Sequence, residues 1–83
     1  MYYVYIIYSQ KLKSKYIGYS DNIKRRVVEH QNGKSRYTKK TDDWQLVYYE
    51  GFINKSDARI EEIFLKSGKG QERIKYLLKN YFI

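Results

Sequence analysis

The sequence predicts an α+β fold: a small three-stranded, mainly antiparallel sheet flanked by helices, in the order β-β-α-β-α-α. Three observations predict it. Residues 2–8 are aromatic or β-branched without interruption, and a similar segment at 16–19 follows at hairpin distance. Two amphipathic stretches, each introduced by Asn and closed by Gly, lie on either side of a third strand-like run. No segment reads as a linker or a repeat. Residues 1–83 therefore form one domain, near the size at which a single core is just sufficient.

The elements follow in order. Tyr2 to Tyr8 reads as a largely buried strand, and Tyr16 to Tyr19 resumes strand character after a polar loop of six to seven residues. Ser20-Asp21-Asn22 offers N-caps for a helix over about residues 22–31, which Asn32-Gly33 ends, Gly33 suiting a left-handed cap. Residues 34–43 form a loop, first basic and then acidic. Trp44 to Phe52 is the third strand, expected to place Trp44, Leu46, Tyr48 and Phe52 on one face and Val47 and Tyr49 on the other. Asn54, with Asp57 three residues on, caps a second helix over about 54–67 that Gly68 closes. A third helix is expected over 71–82, with Ile74, Leu77, Leu78 and Tyr81 at helical spacing.

Composition narrows the function. With no cysteine, disulfides and thiolate metal sites are excluded, which fits a reducing compartment. No apolar run approaches the length of a membrane span, and Met1 leads straight into a strand, so the expectation is a cytoplasmic protein without leader or membrane anchor. The net charge of +8 is placed unevenly. Residues 1–41 hold ten Lys/Arg against Asp21 and Glu29, whereas residues 42–83 hold seven of each sign. A one-sided positive field attracts polyanions through phosphate contacts and counterion release.

On the first helix Arg26 and His30 are four residues apart and share one face, at the edge of the apolar stripe of Ile23 and Val27. A guanidinium held there offers a fork for phosphate, and a histidine can move protons near neutral pH. The plainer reading makes Arg26 solvated and His30 a packed core-edge residue. Tyr5 and Tyr16, on two strands joined by a short loop, can lie side by side; a phenol is a poor base unless a neighbour lowers its pKa from about 10. Gly18 lets the chain approach a backbone or phosphate closely. Glu62 on the second helix faces the apolar side along one edge, and a lone carboxylate suits Mg²⁺, whose other ligands come from water and phosphate. Arg59 and Lys66, at helical spacing, are its ordinary ion-pair partners.

Tyr3-Val4-Tyr5, then Tyr16-Ile17-Gly18, then Asn22 to His30 resemble the signature of the GIY-YIG nucleases, in which an arginine and a histidine or tyrosine follow the paired motifs four residues apart. Trp44 to Glu50 and Ala58 to Gly68 resemble the small stand-alone bacterial branch of that family. The resemblance implies paired active-site tyrosines at Tyr5 and Tyr16, one helping to activate water. It implies that Arg26 holds the scissile phosphate, and that His30 acts in proton transfer, as the base or by relaying a proton from a tyrosine. It implies further that Glu62 binds one divalent cation, Mg²⁺ or Mn²⁺. The activity so implied is one-metal endonucleolytic hydrolysis of DNA, branched or flapped DNA among the substrates. Lys34, Arg36, Lys39 and Lys40 are expected to grip backbone phosphates together with Gly18, with Tyr37 available for stacking. Two departures stand out: Tyr3 replaces the glycine of the first motif, and no asparagine follows Glu62 by about a dozen residues, where Ile74 stands. The alternative function is a nucleic-acid-binding module that keeps the fold and cleaves little; a partner protein for targeting is a further expectation.

Overall fold

The computed structural model describes residues 1–82 and has the expected element order. Strand β1 (Tyr2–Ser9) lies between β2 (Ser14–Ser20) and β3 (Gln45–Phe52), and both pairings are antiparallel. Helix α1 (Ile23–Gln31) follows β2; α2 (Lys55–Lys66) and α3 (Gly68–Leu77) follow β3. Alternation along the central strand divides it between two layers. Val4 and Ile6, with Ile17 of β2, pack against Ala58, Leu65, Ile74 and Leu78. Tyr5 and Ile7 face the other way and pack with Trp44, Tyr16 and Val27. This second layer, on the α1 side, is where the candidate site forms.

Local chemistry sets the boundaries. Asn22 caps α1, its side chain accepting from the Arg25 N–H at 3.1 Å. Gly33, at φ +74°, ends it: its N–H donates to the His30 carbonyl, and the Lys34 N–H donates to that of Glu29. These two bonds satisfy carbonyls the last turn would leave open. The hairpin is tighter than expected. β2 begins at Ser14, because an edge strand tolerates polar Ser14 and Lys15, and Lys13 takes the left-handed conformation (φ 53°) to close the turn.

Two further expectations are corrected. In β3 the register slips between Ile6, opposite Tyr48, and Ile7, opposite Leu46, so Val47 is an extra, bulged residue. Alternation restarts beyond it. Val47 thereby joins Tyr48 and Phe52 on the α2/α3 face, while Leu46 and Tyr49 share the opposite face beside Tyr3. The third helix also begins earlier and ends sooner than the 71–82 expected. Ser67 terminates α2 and caps α3 at once, its hydroxyl accepting from the Gly70 N–H at 3.1 Å. Tyr81 lies beyond the helix and meets Tyr8 edge-on, ring centroids 5.9 Å apart.

Candidate active site

The register of the hairpin builds the floor of the site. Tyr5 stands opposite Gly18, and Tyr16 opposite Ile7, so the two tyrosines are diagonal neighbours on the α1-facing side. A Cβ at position 18 would lie 2.6 Å from Tyr5 Cζ and 3.1 Å from Tyr16 Cε2. The close approach that position 18 requires is therefore to a phenol ring. Glycine is what allows Tyr5 to lie flat across β2.

Helix α1 places His30 against both tyrosines. Its ring centroid is 5.8 Å from that of Tyr5 and 5.0 Å from that of Tyr16. His30 Nε2 and the Tyr5 hydroxyl are hydrogen-bonded at 2.8 Å, and Nδ1 is 2.6 Å from Thr38 Oγ1. His30 and Thr38 have no exposed surface, and Tyr5 has almost none. Burial, and secondarily the charge of Arg26, pushes the His30 pKa down to about 4. Burial likewise raises Tyr5 to about 12, against the pull of Arg26, which lowers it by charge and hydrogen bonding. At neutral pH both groups are therefore uncharged. A neutral imidazole that accepts the Tyr5 O–H at Nε2 carries its own proton on Nδ1 and donates it to Thr38.

Arg26 lies one turn before His30 and is the polar edge of this cluster. Its Nη1 is 2.9 Å from Glu29 Oε1. Arg25, Arg26 and Glu29 border an open depression of about 410 Å³ that reaches Tyr19 and Lys55. Glu62 approaches from α2, across the β2 edge. It is 7% exposed, and its oxygens lie 3.4 Å from Arg59 Nη1 and 3.2 Å from Lys66 Nζ. Arg59 in turn stands over the Tyr19 ring at 4.8 Å, and the Lys66 ammonium lies 6.0 Å from the Tyr16 ring centroid. The charge of Glu62 also reaches Tyr5. The structure thus gathers Tyr16, Arg26, His30 and Glu62 around Tyr5 on the β1–β2 side of the sheet, and it also shows both ion pairs expected for Glu62.

Lys34, Arg36, Lys39 and Lys40 form a separate group on the 34–43 loop, side chains outward. Buried Ser35 and Thr38 pin that loop, and the Trp44 indole N–H donates to the Thr38 carbonyl at 2.7 Å. Thr38 and Glu29 are the contributors that sequence reasoning missed. Arg26 and Glu29 are three apart on a helix, a spacing that signals an ion pair. Nothing in an aperiodic loop marks Thr38. Among the described residues no three His, Cys, Asp or Glu side chains gather to hold a metal. Glu62 is the carboxylate whose charge reaches Tyr5, a hard oxygen donor that fits a cation completed by water and phosphate.

Comparisons with known proteins identify the family and the fold. Residues 1–76 match the family described as the GIY-YIG catalytic domain. A UPF0213 protein of Pediococcus acidilactici is 38% identical over 82 residues, which span 95% of this chain and 83% of that protein. A UPF0213 protein of Clostridium perfringens is 39% identical over 67 residues, 80% of this chain and 71% of that one. The solution structure of a UPF0213 protein from Bacillus halodurans superposes with a TM-score of 0.56 at 32% identity, covering 93% of this chain and 85% of the other. The chain belongs to the GIY-YIG nuclease superfamily, among the small bacterial UPF0213 proteins.

Proposed function

We propose that the protein is a divalent-metal-dependent endonuclease that hydrolyses phosphodiester bonds in DNA. The observation that carries this reading is the hydrogen bond of Tyr5 to a buried, neutral His30, with Arg26 beside it at the mouth. His30 is closed off from solvent, so it acts through the phenols and not on water directly. Tyr16, the more accessible of the pair, meets the attacking water. As the water's proton is taken up, Tyr5, the phenol bonded to His30, passes its own proton to Nε2. The freed oxygen forms its bond to phosphorus as the bond to the leaving sugar oxygen breaks. Arg26 exchanges Glu29 for the phosphate and stabilises its developing charge.

Glu62 would hold one Mg²⁺ or Mn²⁺, which supplies a Lewis acid at the phosphate and leaving oxygen. With a single protein carboxylate, such an ion would take its remaining ligands from water and phosphate. One observation favours a second reading, a binding module that cuts little: both Glu62 oxygens are already matched by cations. A cleavage screen over single-stranded, duplex, flapped and branched DNA with Mg²⁺ or Mn²⁺ separates the two. The nuclease reading expects nicking that Glu62→Gln and Arg26→Ala abolish while the fold is kept. Absence of cutting on every substrate, with salt-sensitive binding unharmed by Glu62→Gln, sinks it in favour of the binding module.

A further inference from the structure

Beside the site lies a recess of about 290 Å³ lined by Tyr16, Tyr37, Trp44, Leu12 and Ser14, together with Lys15 and Lys40. Its chemistry differs from that of the Arg26 depression, which is walled largely by charged and polar groups. Trp44 is 3% exposed and anchored through the Thr38 carbonyl, so it is a fixed wall. Tyr37 is 75% exposed, held by a loop pinned on either side at Ser35 and Thr38, and no interior packing accounts for it. Tyr16 belongs to both the recess and the tyrosine–histidine cluster.

We infer that this recess takes one unpaired nucleobase of the strand being cut, stacked between Tyr16 and Tyr37, with Lys15 and Lys40 on the adjoining phosphates. The inference rests on the nuclease reading and specifies its substrate. Aromatic faces accept any base, and flanking ammonium groups match the backbone charge on either side. The volume lies at the low end of ligand pockets, which suits one heterocycle and its sugar. A base within a duplex is stacked and paired and cannot enter unless it flips out. Single strands, flaps and frayed ends therefore bind best. Because Thr38 bonds both the Trp44 indole and His30, an occupied recess abuts the residues that orient the histidine.

Trp44 is the only tryptophan, so its fluorescence reports on the recess. The full chain is titrated in metal-free buffer with a short DNA strand, with an abasic strand of equal length and charge, and with a duplex. The expected result is quenching by the single strand alone, abasic binding weaker by about tenfold, and a similar loss for Tyr37→Ala on the single strand but not on the duplex. Equal affinity for the abasic strand, or no effect of Tyr37→Ala, overturns the inference. If duplex is cut with metal while no strand quenches Trp44, the recess is wrong and the nuclease stands. If strands quench as expected yet no DNA is ever cut, the nuclease is wrong and the base site stands.

Discussion

Tyr5 is the residue on which the site turns, and Gly18 is what makes room for it. Gly18→Ala drives a methyl into a buried ring whose Cζ would lie 2.6 Å away. Overpacking of about 1–3 kcal/mol exceeds the few tenths that alanine recovers by stiffening the unfolded chain. Denaturant unfolding should show that loss, and unchanged stability would mean Tyr5 is free to move aside. His30 can be read directly, since it is the only histidine. Its folded pKa is depressed from 6.5 to about 4, so the folded state binds fewer protons than the unfolded one between those values. Stability is then full above pH 6.5 and falls, by on the order of 3 kcal/mol, as pH drops toward 4. In proton NMR the ring should not titrate between pH 8 and 5.5; a midpoint near 6.5 would show that the imidazole is solvated. Glu61 behaves in the opposite sense. A hydrogen bond to Glu50, then burial and the Glu50 charge, raises it to about 7. Glu50 Oε1 is buried without a hydrogen-bond partner, and Glu61 can donate to Glu50 only when it carries a proton. Its contribution is present below pH 4.5 and is lost as pH rises toward 7, so Glu61→Gln should raise Tm at pH 8 and leave it unchanged at pH 4.5. Of these groups, the motif residues were legible in the sequence because they recur at fixed spacing. Thr38 and the Glu50–Glu61 pair were not, since each depends on contacts between distant segments.

At the scale of elements, two glycines two residues apart carry opposite predictions. A Cβ at Gly70 would strike the Phe64 carbonyl and lie 2.7 Å from the Leu65 carbonyl carbon, both backbone that cannot yield. Gly68 meets nothing within 4 Å. Gly70→Ala should cost at least about 2 kcal/mol, while Gly68→Ala should gain up to about 1 kcal/mol of helix propensity. Their denaturation midpoints test this, and equal shifts would contradict the tight corner between α2 and α3. The same corner explains why the start of α3 was not legible: Gly68-Lys69-Gly70 carries a stop signal, but Ser67 restarts the helix at once and Gly70 serves packing. Strand β3 misled for a related reason. Period-2 reading assumes an unbroken ladder, and the extra Val47 inverts the faces of the residues on one side of it. β1, whose apolar run is unbroken, matches its pattern, whereas the polar start of β2 at Ser14-Lys15 carries no strand signal.

Over the whole molecule, the charge imbalance has a spatial meaning. Lys34, Arg36, Lys39 and Lys40 project from one loop, and Arg25 and Arg26 border the depression next to the tyrosines. If they contact phosphates as proposed, replacing Lys39 or Lys40 by Ala should each reduce the slope of log K against log salt by about one, uniformly across sequences. An unchanged slope would place the DNA elsewhere. Among the described residues no helix is long and apolar enough to cross a membrane. The central position of β1 bears also on how the chain is made. Its hairpin with β2 can close once residue 20 has left the ribosome, but its other edge waits for β3, some thirty residues later. At about 5–20 residues per second that is a matter of seconds. Throughout them Val4-Tyr5-Ile6-Ile7 presents an open, uncharged, β-prone edge, the kind of segment from which chains aggregate. Slow synthesis through residues 21–52 should therefore lower the soluble yield more than an equal delay after Phe52.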